Sequence, residues 1–399
     1  MYTSPHALSA AARIWIRAGC LTGILWLCQP RSARAEDSLT YKFSSYAEDN
    51  ERIRVYSNYA LALADLGPEM SLKVMGVTDS IAGATPTGAL PQAPGDPVPT
   101  GYMKDFRRAV NLDFTRQINV VNIDLGYGIS RESDYFSQGW SINTLTDFNQ
   151  KNTRVLLGYA GTDDTIHEPK LGWTADRNKK GTDLIIGLTQ LLDPNDTLTL
   201  NVTFGRLNGY LDDPYKIVST TMLNIDPGLY FTVPENRPRE KNKLSVFLGT
   251  NNHFTAIDGA LDASYRYYHD SFGITSNTGT LRWLQNLGED LVLEPSVRYY
   301  LQSAADFYHY NLDSAGIVTS YDPSTGETGT GAAPFYSSDY RLSHLRTVDL
   351  GLKLTWNISA KVAVDVAFDR YEMHGLDHVT PQDAYSKARI VTGGFKWSF

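Results

Sequence analysis

Along most of the chain after residue 36, apolar and polar residues alternate one for one. At 197–204, Leu198, Leu200, Val202 and Phe204 interleave with Thr197, Thr199, Asn201 and Thr203, and the same holds at 291–300 and 347–356. Side chains of a strand point to opposite faces with period two, so each stretch builds one apolar and one polar face. At the end of the sequence, Val391, Phe395, Trp397 and Phe399 share a face, while Thr392, Lys396 and Ser398 share the other. One face suits lipid and the other a wet lumen. A terminal strand of this kind, stopping on an aromatic residue, is what an outer-membrane β-barrel offers its assembly machinery; the plain alternative is an edge strand of a soluble sheet.

Strands are predicted at 39–47, 51–65, 70–80, 104–116, 118–131, 136–149, 152–163, 181–192, 196–208, 241–252, 257–269, 274–286, 290–303, 340–357, 360–372 and 386–399. That is an even sixteen, or fourteen if the first strand and the pairing of 118–131 with 136–149 fail. Short turns fall near Gly67-Pro68, Gln117, Gln150, Pro194-Asn195, His253, Gly288 and Ser359; long connections fall at 81–103, 164–180, 209–240, 304–339 and 373–385. Turns on one side and long loops on the other predict an all-β fold, a transmembrane antiparallel up-and-down β-barrel with both termini in the periplasm. A soluble sandwich has no reason to sort its loops by parity. The segment 84–101, with Pro86, Pro91, Pro94, Pro97 and Pro99, reads as a stiff loop able to fold over or into the mouth.

Residues 1–35 read as a secretory signal peptide, with Arg13 and Arg17 before an apolar run from Ala18 to Cys28 and an Ala33-Arg34-Ala35 cleavage site; the barrel then occupies 36–399. Both cysteines, Cys20 and Cys28, fall in that leader, so no disulfide or thiol chemistry is expected of the remainder. About three residues separate the cleavage site from the first strand, which disfavours a plug or a secreted passenger. The leader holds four Arg and no acid, so 32 cations face 44 anions in the rest of the chain, a net of −12. Nucleic acid is a poor partner for such a surface. The 24 Tyr, 15 Phe and 7 Trp fit the aromatic girdles of a barrel.

By parity Arg54, Asp113, Asp124, Arg154, Asp262, Arg266, Glu294, Arg298, Asp349, Lys353, Asp365 and Lys396 should point inward. They fit either an ion-pair lattice that stiffens the wall or a charge ladder that selects solutes. His269-Asp270-Ser271 holds triad-type residues, but neighbours in sequence do not by themselves make a triad. No enzyme is expected. His374, Asp377 and His378 are weak metal candidates in a loop with Gly375 and Pro381, and Asp163-Asp164 and Asp212-Asp213 are better read as solvated turns than as calcium ligands. No metal and no cofactor are expected.

Several strings at strand ends and in the long loops carry a resemblance. They include Asp79-Ser80-Ile81-Ala82-Gly83-Ala84-Thr85-Pro86-Thr87-Gly88, Glu132-Ser133-Asp134-Tyr135, Gly209-Tyr210-Leu211-Asp212-Asp213-Pro214-Tyr215-Lys216, Glu235-Asn236-Arg237-Pro238 and Asp339-Tyr340-Arg341-Leu342-Ser343, with the stretches 265–274 and 298–308. Together they resemble a bacterial family of outer-membrane proteins of about this length, catalogued only as a domain of unknown function. The departures are Ala82 where Ser is expected and Phe272 where Trp is expected. The resemblance implies no biochemical activity. It implies a companion of small lipoproteins and of periplasmic flavin-transfer or thioredoxin-like proteins, and hence a role in an envelope redox or export system.

Within these strings Asp79, Asp134, Asp213, Arg237, Arg266, Asp270, Arg298, Asp306 and Arg341 are candidates for one charge-assisted hydrogen-bond cluster on the outer side, either ordering the loops or forming a ligand site. Three functions stay open at this point. The first is a channel or conduit in the outer membrane for small solutes or an exported product. The second is a barrel scaffold that docks a lipoprotein or periplasmic redox or export partner, and the third is an outer-membrane hydrolase. Loops 209–240 and 304–339 filling the bore would favour the scaffold, and loops standing clear would favour the conduit.

Overall fold

A computed structural model describes residues 37–399 apart from 94, 168–174, 222–229, 314, 316, 318–319, 323–326 and 330–333. The predicted signal peptide and both cysteines lie outside the described residues. Sixteen antiparallel strands close into a barrel. In chain order they begin with β1 (Ser38–Glu48), β2 (Ile53–Gly67), β3 (Met70–Pro86), β4 (Thr100–Ile118), β5 (Val121–Arg131) and β6 (Tyr135–Phe148). Next come β7 (Thr153–Ile166), β8 (Arg177–Leu191), β9 (Asp196–Gly209), β12 (Glu240–Phe254), β13 (Gly259–Asp270) and β14 (Thr275–Leu287). The ring ends with β15 (Leu291–Gln302), β18 (Leu345–Ser359), β19 (Val362–Gly375) and β20 (Lys387–Ser398). Two small hairpins sit in the long loops, β10 (Ile217–Thr221) with β11 (Tyr230–Pro234) and β16 (Ser320–Asp322) with β17 (Glu327–Gly329).

β20 closes the ring on β1, with Phe395 opposite Tyr41 and Ser398 opposite Ser38. Phe399 N donates to Asp37 O at 2.9 Å, so the start of β1 and the end of β20 meet where the turns are. Turn chemistry fixes that end: Asn119 and Asp258 take φ of 55° and 49°, and Gly288 takes 74°, the left-handed backbone that tight hairpins need. Two turns lie beyond their predicted places, at 119–120 rather than Gln117 and at 255–258 rather than His253, because the alternation runs on through Ile118 and Phe254. At the loop end the sorting by length is incomplete. The connections 49–52, 132–134 and 271–274 are short, while 87–99, 167–176, 210–239, 303–344 and 376–386 are long.

Val110 and Leu112 of β4, Leu125, Tyr127 and Ile129 of β5, and Leu350, Leu352 and Leu354 of β18 stand exposed on the outside. Inside, ion pairs bridge neighbouring strands, Lys73–Asp113, Arg154–Asp147, Arg282–Asp262 and Lys353–Glu294, and Lys42–Asp365 reaches from β1 past β20 to β19. One inward assignment fails. Arg54 pairs in register with Ala47 and lies on the exposed face with Tyr56, while Ile53 and Val55 point in and are buried. The parity rule equates apolar with outward, and it inverts here because a dry core occupies the bore at this level.

That core is local. Four clusters of buried apolar side chains form at the loop end: Ile53, Val55, Ile81 and Met103; Phe272, Ile274, Ala305, Phe307 and Leu342; Val218, Val233, Leu312 and Tyr336; and Tyr340, Leu345, Ala384 and Tyr385. The strand predicted from residue 340 starts only at Leu345. Residues Tyr340–Leu342 form a 3-10 turn instead, capped by the Asp339 carboxylate, which accepts from Arg341 N.

Candidate functional site at the loop end

Two long loops, 210–239 and 303–344, meet around a knot of buried charge. Arg237 Nη2 donates to Asp339 Oδ2 and to Glu235 Oε2, each at 2.9 Å. Arg341 donates from Nε to Asp339 Oδ1 at 2.8 Å and from Nη2 to Asp213 Oδ2 at 2.6 Å. Ser337 Oγ donates to Glu235 at 2.6 Å, and Asp213 N donates to the same carboxylate. Lys216 Nζ donates to the carbonyl of Pro86 and lies 5.4 Å from the centre of the Tyr340 ring. Asp213, Glu235 and Asp339 thus face Arg237, Arg341 and Lys216, three anions against three cations. Such a set is tolerable in a dry place only because each charge is hydrogen-bonded and answered.

Burial and neighbours pull these groups apart electrostatically. Burial alone would raise the Asp339 carboxyl, but Arg341, Lys216 and Arg237 hold it well below the usual carboxylate range. For Glu235 burial wins, with Asp213 and Asp339 adding to it against Arg237, and its carboxyl is pushed up to about 7. Burial likewise brings the Lys216 ammonium down to about 8 in spite of Asp339.

The knot is anchored across the mouth. Tyr215 Oη donates to Asp134 Oδ2 in the β5–β6 turn at 2.5 Å, Ile217 N donates to Thr87 O, and Ser338 Oγ donates to Gly88 O and Ile217 O. The Pro-rich loop is held at Leu90 N by Ser219 and at Val98 N by Asp383. Gln302 of β15 donates to the carbonyls of Arg341 and Ser343, and Tyr340 packs edge-on against Tyr385. The loop after β9 therefore reaches β3, six strands round a ring of sixteen, and the loops form a lid over the bore.

The nine candidate charges do not form one cluster. Asp213, Arg237 and Arg341 meet in the knot, and Asp134 is linked to it through Tyr215. Asp79 pairs with Arg107, its register neighbour on β4, with Arg107 Nε donating at 2.6 Å. Asp270 is buried at its own strand end, accepting from Tyr268 Oη, Phe272 N and Ile274 N and pairing with Lys241 at 2.7 Å. Asp306 lies against Gly273, whose φ of +83° and lack of room for a Cβ make glycine obligatory there. Arg266 and Arg298 stay in the strand wall, over the rings of Phe247 and Tyr300. Cross-strand and local contacts hold Asp79, Asp270, Asp306, Arg266 and Arg298 in place away from any common centre. Sequence reasoning missed Glu235, Lys216 and Asp339. Opposite charges two residues apart, at 235 and 237 and again at 339 and 341, were the available signal.

The His269-Asp270-Ser271 run gives no relay: His269 is exposed and bonds Thr275, Asp270 is turned inward and buried, and Ser271 Oγ accepts from Asn242 N. His374 Nε2 lies 3.3 Å from Glu372, and Asp377 is taken up by Val379 N and Thr380 N. Among the described residues, Asp105, Glu132 and Asp134 bring one carboxylate oxygen each within 4.8 Å of one another, a set of hard ligands suited to a divalent cation.

Among solved structures the chain is similar to a bacterial polysaccharide outer membrane secretin (8% identity, TM-score 0.48, covering 92% of this chain and 100% of that one). It is also similar to the CymD monoaromatic hydrocarbon channel (10%, 0.41, 92% and 89%) and to OmpT of Vibrio cholerae (8%, 0.42, 91% and 96%). No curated protein matches its sequence. A family model matches residues 7–98 and 92–383, and the chain belongs to that family, described as "Protein of unknown function (DUF3570)".

Proposed function

We propose that the protein is an outer-membrane barrel, exported by a signal peptide cleaved near Ala35, that acts as a gated conduit for small solutes or an exported product. Its turns face the periplasm and its lid faces outward. The observation that carries this reading is the contrast between the two halves of the bore. Beneath the lid the inward side chains of Lys42, Lys73, Arg282 and Lys353 remain 34–43% exposed, a wet and charged wall, whereas the mouth is packed and dry. Sixteen strands enclose a width sufficient for an aqueous path, and loops determine whether it is open.

A second reading is favoured by the lid itself. A barrel closed by ordered loops can serve as a scaffold for a lipoprotein or a periplasmic redox or export partner. Recording from planar bilayers separates the two. The conduit predicts small or gated steps from the native protein and larger, longer openings from Asp339→Asn, which breaks the knot. Silence from both proteins at every voltage, with a partner recovered from solubilised envelopes, would replace the conduit by the scaffold.

A further inference from the structure

Several cations on the outward face near the loop end are answered, and Arg346 of β18, with no ion-pair partner among the described residues, stands singly. Arg370 and Arg389 share Asp49, Lys180 pairs with Asp163, and Arg206 pairs with Glu240. One sector differs. Arg54 of β2, Lys104 and Arg108 of β4 and Arg131 of β5 are all exposed on the outer face, and none has an ion-pair partner among the described residues. Arg108 and Arg131 are direct register partners. Like charges opposite each other destabilise a sheet unless an anion lies between them.

The surroundings give that anion a shape. On β3, Thr78 pairs with Arg108, Ser80 with Phe106, and Ala82 with both Arg54 and Lys104. These three small residues form a trough, with Arg54 and Lys104 roughly 9–10 Å apart across it by strand spacing. The exposed rings of Tyr56 and Phe106 stand on its two sides. Directly toward the turn end lie the apolar outward rows, Val110 and Leu112 below Arg108 and Leu125, Tyr127 and Ile129 below Arg131. Fixed cations at the upper edge of an apolar wall are placed where phosphorylated headgroups meet acyl chains.

We propose that this trough binds the phosphorylated headgroup of a multiply acylated lipid in the leaflet around the loop end, an inference that rests on the outer-membrane reading above. The phosphates sit between Arg108 and Arg131 and beside Arg54 and Lys104, and the acyl chains run down the apolar rows. The full barrel is reconstituted in phosphatidylcholine vesicles doped with a bisphosphorylated glucosamine-disaccharide lipid or with its dephosphorylated form, and the lipid retained in mild detergent is counted by native mass spectrometry. The phosphorylated form should be retained preferentially. The double variant Arg108→Gln/Arg131→Gln should lower retention roughly tenfold, while Arg206→Gln leaves it unchanged and Arg108→Lys/Arg131→Lys keeps most of it. Equal retention of both lipids, native retention by the double variant, or displacement of the lipid by equimolar inorganic phosphate overturns the proposal. Heat-shifted electrophoretic mobility in undoped vesicles reports insertion separately; a barrel that never inserts sinks the membrane reading, and this site with it.

Discussion

Glu235 is the most pH-sensitive member of the knot. A carboxyl whose folded value is raised from 4.5 to about 7 adds stability that is full below 4.5 and fades as pH rises through 7. Asp339 works in the opposite sense, since its lowered value contributes above the ordinary carboxylate range and is lost only in stronger acid. Lys216, depressed to about 8, contributes at alkaline pH and has lost that contribution by neutrality. The lid should therefore be firmer at pH 5 than at pH 7.5 and loosen again below about pH 3. Near-ultraviolet circular dichroism of its buried tyrosines during heating checks this, and a midpoint that is level or lower at pH 5 refutes it. The sequence made Asp213, Arg237 and Arg341 visible as charged loop residues. It could not reveal that Arg237 meets Asp339 across 102 positions, because that contact depends on how two loops pack.

At the scale of elements, the β10–β11 hairpin is fastened to the other long loop by Leu312, which is wholly buried against Val218, Val233 and Tyr336. Leu312→Ala removes apolar contact from a site with no solvent behind it and should cost about 2–5 kcal/mol of lid stability. Limited proteolysis should then cut within 210–239 while the strands keep their resistance to heat; unchanged cleavage would mean that the hairpin is held some other way. All sixteen strands were legible, since period-two alternation is a local property. The hairpins in the loops and the 3-10 turn at Tyr340 were not. Tyr340 and Leu342 are apolar and two positions apart, as on one face of a strand, and only the Asp339 cap and the neighbouring loops decide otherwise.

For the whole molecule, closure depends on β1 meeting β20. Removing residues 395–399 deletes the partners of Tyr41, Thr40, Leu39 and Ser38 and exposes a sheet edge. The shortened protein should fail to give a heat-resistant compact band on gels; a normal band would show that the remaining pairs suffice. The class of fold was readable because a closed wall with one greasy and one wet face imposes its pattern on every strand. The lid was readable only as length and proline content, which announce a loop without saying what it touches.

The contacts from the β9 loop to β3 and from Ser338 of the β15 loop to Gly88 run across the mouth rather than around it. They brace the rim like spokes, whereas the turn end is tied from each hairpin to its neighbour, as by Gln117 N to Glu69 O and Asn286 N to Asp258 O. Squeezed sideways by a crowded bilayer, the cylinder should flatten first at the unbraced end and keep a round section at the other, so that strain entering from the membrane reaches the lid last.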